Sequence, residues 1–151
     1  MKLVMIKFEL VTLSGIKHDG EVYEVLLPTP DGTIAVFQNH MPLVSVVAPG
    51  VIKVREKSND PDDFMDSYAT AGGVVEILDN SVRVLVDEAD HSDEINEADA
   101  KKALDEAHKL RSTAKDQISL DKAQSMIDMH NVRLQVSSLK HRKRRNRTKS
   151  I

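Results

Sequence analysis

The first half of the chain alternates. Ile6, Phe8, Leu10 and Thr12 are separated by Lys7, Glu9 and Val11, a period of two that predicts a strand with one buried face. The same alternation, or a short β-branched run, recurs at Val22 to Leu27, Thr33 to Phe37, Leu43 to Val47 and Val51 to Arg55. It returns at Phe64 to Thr70, Val74 to Leu78 and Val82 to Val86. Turn residues stand between these runs. They are Ser14-Gly15, Asp19-Gly20, Pro28 to Gly32, the corner Asn39-His40-Met41-Pro42, Pro49-Gly50, a polar loop over Lys57 to Asp63, and Gly72-Gly73. Pro42 holds its neighbour out of the helical region, which makes 39–42 a corner. Asp79-Asn80 predicts a two-residue hairpin turn. Strands this short, with turns every 8–12 residues or so, predict a sandwich or barrel over residues 1–87.

Past Asp87 the period changes. Seven acids lie between Asp87 and Asp99, with no Lys or Arg until Lys101. This reads as a polar linker entering a helix, where carboxylates suit the positive end of the helix dipole. Ser92 or Asp93 is the expected N-cap. Ala100, Ala103, Leu104, Ala107, Leu110 and Ala114 then recur at helical spacing. After a break near Ser112 to Gln117, Leu120, Ala123, Ile127, His130 and Leu134 form a second stripe, with Met126, Val136 and Leu139 beside it. Alanines on one helix let the other approach closely. Residues 88–140 therefore predict a linker and an antiparallel two-helix hairpin whose thin seam opens at modest cost. The fold class is mainly β plus α: an N-terminal β-sandwich followed by a C-terminal antiparallel two-helix hairpin.

Charge adds a third segment. Seven of the 21 Lys and Arg lie from Lys140 onward, without an acid, which leaves 14 against 24 Asp and Glu in the rest. The body thus stands near −10 and the end near +7, a division typical of an interaction tail. Residues 141–151 are expected to be a flexible basic tail. Helices of about 17 and 24 residues would bring that tail back beside Asp87 to Asp99. Such pairing would favour a folded-down hairpin at low salt. The remaining composition is that of a soluble protein: 151 residues, 30% charged and 40% hydrophobic. With five aromatic residues, the core must be built from Val, Leu, Ile and Ala. The absence of cysteine excludes disulfides and thiolate chemistry. No apolar run approaches the ~20 residues that span a bilayer, and Met1 to Ile6 is too short for a signal peptide.

Catalytic chemistry finds no support. The histidines at 18, 40, 91, 108, 130 and 141 form no His-x-x-x-His pair. Gly72-Gly73 lacks the Lys-Ser/Thr of a phosphate loop. Asp90-His91-Ser92-Asp93-Glu94 reads as a solvated acidic linker rather than a metal site. No cofactor is expected. The basic tail has cations enough to displace counterions from a polyanion but no aromatics for stacking bases.

Four segments carry a resemblance. Gly32 followed by Asn39-His40-Met41-Pro42-Leu43 and Pro49-Gly50 is preceded by Asp19-Gly20-Glu21-Val22 and Leu27-Pro28. Ala71-Gly72-Gly73-Val74-Val75-Glu76-Ile77 follows. This order resembles the epsilon subunit of F-type ATP synthase, from about Phe8 to about Leu139. Ala35, where the family commonly has glycine, and Phe37-Gln38 depart from it. The resemblance implies a non-catalytic central-stalk subunit that couples the rotor to ATP synthesis from ADP and phosphate, driven by a transmembrane proton gradient. Sodium coupling fits the sequence equally. It also implies inhibition of ATP hydrolysis by the C-terminal helices. The implied partners are the gamma subunit, the c-subunit ring and the alpha and beta subunits, at the cytoplasmic face of the bacterial cell membrane, with no nucleic acid. By matching position, His40, Met41 and Pro42 are gamma-contact candidates. Asp31, Gly32 and Thr33 are c-ring candidates, with Thr33 where some relatives carry an acid. Arg142, Lys143, Arg144 and Arg145 are inhibitory-tail candidates toward acidic surface of the catalytic head. Ile118-Ser119-Leu120-Asp121-Lys122-Ala123 sits where some relatives bind ATP; Ser119 and Lys122 are weak candidates, since lysine lacks the planar fork of arginine. The alternative is a stand-alone β-domain whose basic tail binds RNA or anionic lipid.

Overall fold

Alternation needs a second layer, because a sheet with one apolar face must bury it against something. In the computed structural model, which describes residues 4–149 (149 without its side chain), that layer is a second sheet. Residues 1–3 and 150–151, the outer ends of the expected sandwich and tail, lie outside the described residues. The strands are β1 (Ile6–Thr12), β2 (Gly15–Val22), β3 (Glu24–Thr29), β4 (Gly32–Val36), β5 (Leu43–Val47), β6 (Gly50–Arg55), β7 (Asp66–Thr70), β8 (Gly73–Leu78), β9 (Ser81–Val86) and β10 (Ala89–His91). The first sheet has the order β2-β1-β9-β8-β5 and the second β10-β7-β6-β3-β4. Only β1 and β9, among described neighbours, run parallel. Phe8, Leu10, Val75, Val82 and Val84 from the first sheet meet Val25, Leu27, Val36, Ile52 and Val54 from the second, all essentially sealed from solvent.

Two strands depart from the sequence expectation. The punctuated stretch after Ser14 is β2, an eight-residue edge strand that carries Asp19-Gly20 within it. Its register against β1 shifts between Leu10 and Val11, so a bulge absorbs the irregularity. The acidic linker contains β10, which pairs Ala89 with Thr70 and His91 with Tyr68. The sandwich therefore takes in residues 89–91, beyond the expected boundary at 87. The Asp79-Asn80 turn is as expected: both residues have positive φ, as the twist of a two-residue hairpin requires.

The helices are α1 (Glu97–Thr113) and α2 (Gln117–Lys149). The expected caps Ser92 and Asp93 are not the caps. The Ser92 N–H is held by the Ser67 carbonyl at 2.9 Å and a turn over 92–94 closes with the Glu94 N–H on the His91 carbonyl, so the helix starts only after Asn96, whose Oδ1 accepts from the Asp99 N–H. At the start of α2, the Asp116 carboxylate accepts from the Ser119 N–H at 2.7 Å. Helix α2 is longer than the expected 24 residues. It continues through the basic segment, so the tail expected to be flexible from 141 is helical as far as Lys149. Helices α1 and α2 pack together, and Ala100 and Ala107 of the first and Ala123 and Ile127 of the second are buried, the thin seam that alanines predict. A second face of α2 was not foreseen. Met129, Val132 and Val136 pack on Ala69 of β7, with Val51 and Ile95 at the margin. Leu110, placed on the seam by periodicity, is half exposed.

Candidate docking surfaces

The outer face of the first sheet carries an apolar row where a solvated face would be polar. Registers align Val46 with Val74, Val74 with Leu85, Leu85 with Val11, and Val11 with Ile16. One row of side chains thus crosses all five strands, a span of about 19 Å at 4.8 Å per strand. Val46 is 55% exposed and Ile16 66%. The next row, two residues along, aligns Val44 with Glu76, Arg83, Glu9 and Asp19. There Arg83 donates to Glu9 at 2.9 Å and Lys7 lies 3.0 Å from the same carboxylate. Leu78 and the exposed Met41 extend the apolar area along the β5 side. An apolar stripe bordered by a charged ladder is the composition of a docking face, not of a bare monomer surface. These residues were not singled out from the sequence. A signal exists: Leu43 to Val47 and Val74-Val75 are apolar at adjacent positions, which puts apolar groups on both faces of one strand.

The corner residues border this face. Asn39 has φ 63°, and its N–H is held by the Asn80 side chain at 2.6 Å, which fastens the corner to the β8–β9 turn. The His40 Nδ1–H donates to the Met41 carbonyl at 2.7 Å. Met41 and Pro42 are exposed. Asp31, Gly32 and Thr33 are also exposed, on the β3–β4 turn, where Gly32 has φ 119° and Thr29 Oγ1 donates to its carbonyl. Strand β4 runs from that turn toward the corner, and β5 runs back. The two candidate groups therefore lie at opposite ends of the sandwich, about one strand length or 17 Å apart.

Helix α2 lies along β7 with its basic end at the corner end of the sandwich. Arg133 donates to Asp90 at 2.6 Å and to Glu88 at 3.2 Å. Lys140 pairs with Asp93 at 3.2 Å, His141 with Glu97 at 3.1 Å, and Lys143 with Asp66 at 3.0 Å. Asn146 donates to Asp63, and the Arg147 guanidinium sits 5.2 Å over the Phe64 ring. Of the inhibitory-tail candidates, then, Lys143 is engaged with the body, while Arg142, Arg144 and Arg145 face solvent. Ser119 and Lys122 are exposed in the first turns of α2 and are not gathered into an enclosed site. In the stretch 90–94, Asp90 holds Arg133, Asp93 holds Lys140 and Glu94 holds Lys17.

Titration follows these contacts. The hydrogen bond from Lys140 holds the Asp93 carboxyl below its usual range. Lys101, then His141, does the same for Glu97. Burial lowers His18, whose Nδ1 lies 3.0 Å from the Tyr68 hydroxyl, and burial first and nearby acids second push that hydroxyl up to about 12. His130 is lowered by burial and then by the charge of Arg133, which donates to its Nδ1 at 3.3 Å.

A ten-stranded sandwich bearing a two-helix hairpin on one sheet and an open apolar stripe on the other is the build of a subunit made for an assembly. Comparison with known proteins agrees. Residues 5–92 match the family model described as ATP synthase, Delta/Epsilon chain, beta-sandwich domain. The ATP synthase epsilon chain of Persephonella marina is 33% identical over 121 residues, 80% of this chain and 85% of that one. That of Sulfurihydrogenibium sp. is 32% identical over 104 residues, 69% of this chain and 75% of that one. A chain in the mitochondrial ATP synthase of Euglena gracilis shares the fold, with TM-score 0.73 at 21% identity over 91% of this chain and 84% of that one. The chain belongs to the epsilon subunits of F-type ATP synthase.

Proposed function

We propose that this chain is the non-catalytic central-stalk connector of its ATP synthase. The stripe Val46–Val74–Leu85–Val11–Ile16 docks on the gamma subunit, with His40, Met41 and Pro42 at its border. The single observation that carries this reading is that stripe, an apolar row left open across one sheet while α2 lies over the β7–β6 side of the other. The turn at Asp31, Gly32 and Thr33, at the far end of the sandwich, meets the c-subunit ring. Among the described residues no helix is long and apolar enough to cross a membrane. Attachment to the bacterial cell membrane on its cytoplasmic face is then peripheral, through the complex, which couples ion translocation to ATP synthesis.

The hairpin acts as a brake on ATP hydrolysis when it leaves the sandwich and α2 reaches the alpha and beta subunits with Arg142, Lys143, Arg144 and Arg145. A brake of this kind needs differential affinity: reversing a 1:99 population takes about 5.5 kcal/mol. The test is ATP hydrolysis by the catalytic head with gamma, reconstituted with the full chain or with a chain ending at Ile95, which keeps β10. Faster hydrolysis with the shortened chain is expected. Equal rates, with both forms bound to gamma, would leave a connector without a brake. Failure of both to bind gamma would overturn the docking assignment.

A further inference from the structure

The contacts between hairpin and sandwich divide into two kinds. The apolar part is small, with Ala69, Met129, Val132 and Val136 buried. The remainder is ionic or cationic: Arg133 holds Asp90 and Glu88 midway along α2, and the other contacts sit on its last three turns. Positions 129, 133, 136, 140, 143 and 147 fall in steps of four and three, so one helix face carries the apolar contacts with Arg133 among them and then only charged ones. Exposure ranks the charged ones. Lys143 and Asp66 are 25% and 30% exposed, whereas Asp93, facing Lys140, is 72% exposed. The Lys143–Asp66 pair is the better shielded and carries more of the attraction. Asp66 also faces His91, whose Nε2 is 3.7 Å away. A cleft of about 310 Å³ opens beside the pair, lined by Lys53, Ser67, Ser92 and Arg142, so dissolved ions reach it.

We propose that the basic end of α2 is a salt-released clasp. Lys143 on Asp66, Lys140 on Asp93 and Arg147 on Phe64 hold the hairpin down on the second sheet. Their release frees the hairpin and the same cations together. The clasp deepens the brake described above and rests on that reading for its purpose, but its existence does not depend on it. Because each cation serves either the sandwich or another anionic surface, hairpin position and anion binding exclude one another at this end of the molecule. Arg144 and Arg145 point away and take no part in holding.

The chain has no cysteine, so two introduced ones label it cleanly. Ser58→Cys on the 57–60 loop and Ser138→Cys on the exposed side of α2 place a fluorescent pair across the clasp in the full chain. A single short distance is expected at about 0.01 M salt, where the screening length is near 30 Å. A longer-distance population should grow toward 1 M salt, where that length is about 3 Å. Asp66→Asn and Lys143→Gln should each raise the released fraction about fivefold at low salt. The two together should add little to either alone, since both remove one pair. Arg144→Gln should change nothing. A distance distribution indifferent to salt and to both variants would overturn the clasp. It would leave gamma binding untouched, just as failure to bind gamma would leave this measurement untouched.

Discussion

Single positions carry constraints that no other residue meets. Gly73 faces β9 so closely that a Cβ would run into the Leu85 carbonyl and crowd the Val86 backbone. Backbone cannot yield as a side chain tip can, so Gly73→Ala should cost about 2–3 kcal/mol by overpacking. Urea unfolding of the variant checks this, and an unchanged midpoint would count against so close an approach. His18 gives a prediction in pH. It is packed 5.0 Å from the Phe8 ring and beside Tyr68, and burial lowers its pKa. The unfolded chain takes up a proton near pH 6.5 that folded His18 refuses. Its contribution is therefore flat above that pH and turns unfavourable as pH falls toward the lowered folded value. Melting temperature should drop between pH 7.5 and 5.5, and His18→Asn, which keeps a polar atom toward Tyr68, should shrink that drop. An equal drop in both proteins would assign it elsewhere, for instance to His130.

At the scale of elements, legibility followed the hydrophobic pattern and failed where pairing or packing overrode it. The sandwich and both helices were readable because Ile6-Phe8-Leu10 and Val82-Val84-Val86 alternate and the alanines of α1 recur at helical spacing. Strand β2 was hidden because an edge strand needs little apolar content: its polar Lys17, Asp19 and Glu21 read as turn. Strand β10 was hidden because three residues of backbone pairing leave no periodicity. That pairing also displaced the helix cap from Ser92 or Asp93 to Asn96. Asn96→Ala should then lower stability by about 1 kcal/mol, whereas Ser92→Ala should not reproduce the loss. Thermal unfolding of the two variants decides between the sites. The candidate corner and turn were legible through Pro and Gly chemistry, and the docking stripe was not. Its residues come from five strands, and only the register puts Val46, Val74, Leu85, Val11 and Ile16 side by side.

For the whole molecule the two sheets have different neighbours. The β7–β6 side of the second sheet is covered by α2 through Ala69 and Asp66, so that part of its outer face has an occupant within the chain. Among the described residues the first sheet has none, and its apolar row would be a liability on a free subunit, more so because β5 is an edge strand. If that row docks on gamma, a charge placed in it must be desolvated against a partner that did not evolve to hold it. Val46→Glu and Leu85→Glu are both on exposed positions, so each should move the stability of the isolated chain by no more than about 0.5 kcal/mol. At the centre of a docked face, such a change should cost 2 kcal/mol or more, a loss of affinity of about 30-fold. Ala35→Glu, on the exposed side of β4 in the other sheet, supplies the control and should leave affinity as it was. Titration calorimetry with purified gamma reads all three. Loss in the two stripe variants alone would assign docking to the first sheet. Loss only in Ala35→Glu would move it to the β3–β4 side and leave the stripe to another partner.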